Sequence, residues 1–265
     1  MATSTGVTVV AHRGLAPGFP ENTLAAFRGA IGLGVDAIEI DLRVTADGHL
    51  VVMHDDTVDR TTNGHGRVAD LMLSEVRSLD AGSSAGSAFR TERVPTYREV
   101  LETVQGHRIQ LLLDIKDCPV EAKESIVELT DHFDASHRVI LGPRTVTDLH
   151  EFKQLDPRLR TLALVPGRTD LPPDPSDIAA FIDAGAEIVR LWPVWLLTDH
   201  NAGAQLIDGV TTRGVPVWTC ADTLYGDISA DTPENDLRRL VDIGVTGILT
   251  NLPGLLMDMV GQERQ

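Results

Sequence analysis

Beyond Pro95 the sequence settles into a regular alternation of short apolar runs and longer segments with helical periodicity, a pattern that few architectures accommodate. Strands are expected at 109–115, 138–141, 161–165, 187–191, 215–219 and 246–250. Helices are expected at 96–103, 120–133, 145–154, 176–184, 202–213, 233–243 and 252–260. Upstream, 7–11 reads as a first strand, a helix follows with Leu24, Ala25, Phe27, Ala30 and Ile31 on one face, and 37–42 reads as a second strand. Strands that are apolar along their length and each followed by a helix are parallel and buried on both faces. About eight such units close most naturally into a (β/α)8 barrel, the TIM barrel, with a doubly wound open sheet as the competing arrangement. The 265 residues, 42% of them hydrophobic, can bury one large core, and the chain reads as a single domain over 1–265.

One stretch breaks the alternation. After the second strand, Asp47-Gly48 turns into the run Leu50-Val51-Val52-Met53, a small hairpin-like addition. From about 56 to 93 the pattern is irregular, with a loop at Thr61-Thr62-Asn63-Gly64-His65-Gly66, a short helix at 71–79 and a Gly/Ser-rich run at 82–88 that reads as flexible. This segment reads as a small insertion after the second strand, lying over the barrel mouth. Its Gly/Ser run lacks the Gly-Lys-Ser/Thr ending of a phosphate-cradling loop.

The reactive groups of such a barrel sit at the C-terminal ends of its strands. Glu39 and Asp41 are two apart on the second strand and point to the same side. Asp114 and Lys116 end the next core strand in the same way, after Leu111-Leu112-Leu113. Carboxylates forced together repel unless a cation or protons lie between them. Glu39, Asp41 and Asp114 therefore form a candidate all-oxygen site for one divalent cation, Mg2+ or Ca2+; the alternative is a metal-free salt-bridge network with Lys116 and Arg13. His12 follows the first strand and His54 follows the hairpin, so the two imidazoles can serve as proton donor and acceptor near neutrality. The other seven histidines, from His49 to His200, have no comparable company. Arg13 offers a fork of donors for phosphate oxygens. Glu21 and Asn22 can position His12 or Arg13, and Asn22 also reads as a helix cap. Trp218 reads either as a substrate contact, against an apolar or glycerol-like portion, or as barrel core.

The formal net charge of -16 and pI near 4.8 repel nucleic-acid phosphates and anionic lipid surfaces at long range. A small phosphorylated substrate is compatible with that surface if Arg13, Lys116 and a cation make the cleft locally positive. Cys118 and Cys220 are too few for a disulfide framework and read as thiols. No stretch approaches the roughly 20 apolar residues of a membrane span, and the N-terminal residues lack a secretory pattern, so the expectation is a cytoplasmic protein with no membrane insertion. Oligomeric state is not legible.

These residues together resemble the glycerophosphodiester phosphodiesterase family. The resemblance rests on His12-Arg13-Gly14, Pro20-Glu21-Asn22-Thr23, Glu39-Ile40-Asp41, Asp47-Gly48, Val51-Val52-Met53-His54-Asp55 and Arg60-Thr61-Thr62-Asn63-Gly64. It continues through Val94-Pro95-Thr96, Asp114-Ile115-Lys116, Trp218-Thr219 and Gly247 to Pro253. It implies hydrolysis of glycerophosphodiesters to sn-glycerol 3-phosphate and an alcohol. His12 and His54 would be the acid/base pair, Glu39, Asp41 and Asp114 the metal ligands, and Arg13 and Lys116 the phosphate contacts. A lysophospholipase D-like diesterase and a non-catalytic phosphodiester-binding barrel are the alternatives. The chain departs from the family pattern at Asp114, where Glu is usual, at Ala221, at Asn251 and in Ser83 to Ser87. Which histidine is acid or base, and whether water or a substrate hydroxyl attacks, stays open.

Overall fold

In the computed structural model, which describes residues 6–15, 17–116, 119–166, 172–221 and 232–262, the apolar runs form nine strands. They are β1 (Thr8–Ala11), β2 (Ala37–Val44), β3 (Leu50–Val52), β4 (Gln110–Ile115), β5 (Val139–Gly142), β6 (Arg160–Leu164), β7 (Ile188–Leu191), β8 (Val217–Ala221) and β9 (Gly247–Thr250). Their hydrogen-bonded order is β1-β9-β8-β7-β6-β5-β4-β2-β3, and β1 also pairs with β2. An open doubly wound sheet leaves two unpaired core edges; the β1–β2 pairing leaves none, so eight strands close as the expected (β/α)8 barrel and β3 is an antiparallel appendage on β2. The helices are α1 (Leu24–Leu33), α2 (Leu73–Ser78), α3 (Tyr97–Val104), α4 (Val120–His132), α5 (Val146–Leu155), α6 (Pro175–Asp183), α7 (Pro193–Leu197), α8 (His200–Thr211), α9 (Pro233–Asp242) and α10 (Pro253–Gln262). None among the described residues is long and apolar enough to cross a membrane.

Packing divides the chain into one unit of Ala11–Gly142 with Glu151–Arg160 and a second of Met1–Val10, Pro143–His150 and Thr161–Gln265. In the first unit, β2 runs parallel to β4 with Asp41 opposite Asp114 and Glu39 opposite Leu112. Residues in register on parallel neighbours face the same side, so this register alone brings three carboxylates together.

Helix α1 corrects one expectation. Its cap is Thr23, whose hydroxyl accepts from the Ala26 N–H at 3.3 Å, and Gly34 at φ 84 ends it. Asn22 lies outside the helix at φ 56 and faces the acidic cluster instead. Just before, Gly14 has φ +91, and a Cβ there would stand 2.6 Å from Ala26 Cβ. Gly14→Ala is expected to destabilise the protein by about 2–4 kcal/mol, from backbone strain and overpacking, as measured by urea unfolding.

The insertion holds no named strand among its described residues but has its own small core. Val58, Val68, Val76 and Ala81 pack with Val51, Met53 and Val94. The run expected as flexible, 82–88, is instead wound into two short 3-10 turns, Ser83–Ala85 and Ser87–Phe89. The Asp80 carboxylate accepts from the N–H groups of Gly82 and Ser83, each at 2.9 Å, which ties the first turn down. Glu92 Oε2 accepts the Ala25 N–H at 3.1 Å, which fastens the insertion to the first turn of α1.

In the second unit β6 to β9 run parallel. Here the sequence underestimated the helices. Pro193 starts the short α7, Asp199 caps α8 by accepting from Asn201 and Ala202, and a Cβ on Gly203 would meet Leu196 O at 2.3 Å, so α7 and α8 touch backbone to backbone. Trp218 is 4% exposed, and its ring lies where a Cβ on Gly247 would fall, 2.6 Å from three ring atoms. Arg190 is also buried, its guanidinium carbon 4.1 Å from the centre of the Trp192 ring. Cys220 is buried, and Cys118 lies outside the described residues.

Candidate active site

The site is built within the first unit, from the loop after β1, the ends of β2 and β4, and the residues after β3. Chain reversal after β1 is abrupt. Arg13 takes φ 56 and Gly14 φ 91, a left-handed pair that is rare for a residue with a Cβ. What holds Arg13 there is specific bonding. Its N–H donates to Glu39 Oε2 at 3.0 Å, its carbonyl accepts the Asn22 N–H at 2.9 Å, and its Nη1 donates to Glu21 Oε1 at 2.9 Å. Its Nε stands 3.3 Å from Asp41 Oδ2. The Asn22 amide brackets the same carboxylate, donating from Nδ2 to Asp41 Oδ2 at 2.7 Å and accepting the Asp41 N–H at 3.5 Å.

Glu39, Asp41 and Asp114 are buried, and each offers a carboxylate oxygen within 4.8 Å of the others. Burial, reinforced by the neighbouring Asp41, pushes the Glu39 carboxyl up to about 7. Asp41 goes the other way. Burial opposes its ionisation, but Lys116, Arg13 and His54 outweigh burial and hold the carboxyl well below the usual range. Lys116 Nζ lies 2.8 Å from Asp41 Oδ1 and 2.5 Å from Asp114 Oδ2. The Lys116 ammonium is thus the ion-pair partner of Asp41 Oδ1. An all-oxygen set of three buried carboxylates, one of them driven toward protonation by burial and by its neighbour, fits a hard divalent cation. The salt-bridge network anticipated as the alternative is present around the same carboxylates.

His12 is buried at 4% exposure, near enough to Glu39 to favour its ionised form. His54 is part-exposed. Its carbonyl accepts from Arg43 Nε and Nη2 at 3.0 and 2.8 Å, and its Nδ1 lies 2.7 Å from Asp55 Oδ1. With Nδ1–H donating to Asp55, Nε2 is the nitrogen available for proton transfer. Burial holds the His54 imidazole below its ordinary range, even though Asp41 and Asp55 favour protonation, so it is neutral near pH 7. Hydrogen bonding from Arg60 and His54, set against modest burial, takes Asp55 down to about 2.

Of the residues singled out in the sequence, His12, Arg13, Glu39, Asp41, His54, Asp114 and Lys116 all belong to this unit, whereas Trp218 belongs to the other. Sequence reasoning gave no role to Asp55 or Arg60 and only half recognised Asn22. Asp55 carried a usable signal, a carboxylate adjacent to a candidate catalytic histidine.

A family model described as the glycerophosphoryl diester phosphodiesterase family matches residues 12–255. A glycerophosphodiester phosphodiesterase of Caldanaerobacter subterraneus subsp. tengcongensis is 35% identical over 258 residues, covering 95% of this chain and 97% of the relative. One from Bacillus subtilis is 31% identical, covering 94% of this chain and 85% of the relative. Among solved structures, a glycerophosphodiester phosphodiesterase from Agrobacterium tumefaciens superposes with a TM-score of 0.72 at 27% identity, covering 94% of this chain and 99% of that one. An Oleispira antarctica phosphodiesterase, in complex with the product sn-glycerol-3-phosphate, shares the fold at TM-score 0.81 and 23% identity, covering 97% and 98%. With the family pattern spanning the acidic cluster, both histidines and nearly the whole barrel, the chain belongs to the glycerophosphoryl diester phosphodiesterase family.

Proposed function

We propose that this enzyme, a glycerophosphodiester phosphodiesterase, hydrolyses its substrates to sn-glycerol 3-phosphate and an alcohol with one divalent cation, Mg2+ or Ca2+, and two histidines. The observation that carries the reading is the buried trio Glu39, Asp41 and Asp114, gathered within 4.8 Å of one another, with the basic side chains of Arg13 and Lys116 against Asp41. These carboxylates would hold the cation, which when bound supplies Lewis-acid stabilisation of phosphate oxygens. Arg13 and Lys116 add fixed positive charge for the non-bridging oxygens, where developing charge is stabilised without reorganisation. One of His12 and His54 takes the proton from the attacking hydroxyl as the new P–O bond forms; the other gives a proton to the alkoxide as the old P–O bond breaks. The insertion is assigned to the barrel mouth.

The test is the release of sn-glycerol 3-phosphate from glycerophosphocholine, glycerophosphoethanolamine and glycerophosphoglycerol, followed by 31P NMR. Cleavage of at least one, with the phosphate retained on glycerol, is the expected result. Turnover of lysophosphatidylcholine alone would point to the lipid diesterase instead. The acidic surface, which repels anionic lipid surfaces, favours a small water-soluble substrate.

A further inference from the structure

The loop carrying Arg60 sits in the insertion, outside the strand ends that supply the rest of the site. Its guanidinium nevertheless engages two site carboxylates at once. Nη1 and Nη2 donate to Glu21 Oε2 and Oε1 at 2.8 and 2.7 Å, and Nε and Nη2 donate to Asp55 Oδ2 and Oδ1 at 2.7 and 3.1 Å. Glu21 Oε1 also accepts from Arg13 Nη1 at 2.9 Å, and Asp55 Oδ1 lies 2.7 Å from His54 Nδ1. Arg13, Glu21, Arg60, Asp55 and His54 thus form one unbroken chain of hydrogen bonds, the first four alternating in charge. The loop itself is fixed: Thr62 Oγ donates to the Val58 carbonyl at 2.6 Å, and Thr61 Oγ approaches Met53 Sδ at 3.2 Å, one residue before His54.

We propose that Arg60 is a positioning residue that locks the carboxylate holding Arg13 to the carboxylate holding His54, so that the insertion sets the spacing between a phosphate-binding guanidinium and a proton-transferring imidazole. This rests on the roles given to Arg13 and His54 above. The Arg60 side chain is 48% exposed, and ion pairs so open to water add little to stability. A role in holding the fold is therefore a poor account of four well-directed bonds, whereas small displacements of catalytic groups are costly in rate. A planar fork meets each of the two carboxylates through two nitrogens in fixed directions, a paired geometry that the point charge of an ammonium does not reproduce.

The experiment compares Arg60→Gln, Arg60→Lys, Asp55→Asn, the Arg60→Gln/Asp55→Asn double variant and His54→Ala with the wild type, on glycerophosphocholine at saturating Mg2+ or Ca2+. Arg60→Gln is expected to lower kcat about 10- to 100-fold, as loss of a supporting partner does, with a much smaller change in KM and little change in Tm. Arg60→Lys is expected to recover only part of the loss. The double variant should fall far short of the product of the two single losses, because the two residues act through one chain. Wild-type kcat in Arg60→Gln, a loss explained by an equal fall in Tm, or multiplicative losses would overturn the role of Arg60. His54→Ala separates the two levels. If it is inactive while Arg60→Gln is normal, only the positioning role falls; if it turns over normally, the role of His54 falls and this inference with it.

Discussion

His54→Ala lowers kcat for glycerophosphodiester cleavage by about 10²–10⁴-fold, the range expected for loss of a general acid or base. The fold tolerates the change, because the His54 side chain is 30% exposed and Arg43 holds its backbone carbonyl rather than its ring. Thermal midpoint and circular dichroism should match the wild type, which separates lost chemistry from lost structure. The pH profile adds a second check. Burial keeps this imidazole below its ordinary range, so the limb of kcat/KM that reports it lies below the usual histidine value in the wild type. That limb should vanish in the variant. His12 is buried, and a conservative His12→Asn is the fair comparison there. Wild-type turnover in both variants would remove the two-histidine assignment.

Glu39→Gln is expected to abolish measurable turnover, by roughly 10³-fold or more, since a cation site of this kind supplies several kcal/mol to the transition state. The more discriminating expectation concerns stability without metal. Burial and Asp41 raise the Glu39 carboxyl to about 7 from its ordinary value of 4.5. A carboxyl raised in the folded state binds its proton more tightly there than in the unfolded chain. The contribution of Glu39 to the stability of the metal-free wild type therefore declines as pH rises through the window from 4.5 to about 7. Glutamine has no proton to lose. Its amide oxygen can still accept the Arg13 N–H that Glu39 Oε2 accepts now. Metal-free Glu39→Gln should thus be at least as stable as the wild type at pH 8, yet gain nothing from added Mg2+ or Ca2+. Denaturation at pH 5 and pH 8, with and without the cation, reads both effects. A variant markedly less stable than the metal-free wild type at pH 8 would contradict the electrostatic account.

How much of this was legible depended on whether a feature had a period. The barrel was readable because each strand is apolar along its length and each is followed by a helix. The acidic trio was readable because residues two apart share a face, and the β2–β4 register then placed Asp41 opposite Asp114. The misreading of Asn22 has a local cause. Asparagine suits both a helix cap and a left-handed backbone, and Thr23 beside it is an equally good cap, so the sequence offers two solutions and tertiary bonding to Asp41 selects one. Arg60 was illegible because its partners Glu21 and Asp55 lie 39 and 5 residues away, joined through an insertion without periodicity. The five-residue α7 was missed because its segment is too short to show a helical repeat. The Ser-rich run looked mobile on composition, yet Asp80 ties it down.

The central claim is that three buried carboxylates hold a cation needed for phosphodiester cleavage. The direct measurement takes wild-type protein stripped with EDTA, adds back Mg2+ or Ca2+ stepwise, and follows release of sn-glycerol 3-phosphate from glycerophosphocholine or whichever diester is cleaved best. The account predicts near-zero turnover in the stripped enzyme and saturable recovery with one equivalent of bound cation. Full turnover by protein shown to be free of metal would contradict it, and would leave Lys116 and Arg13 to supply the positive charge against Asp41.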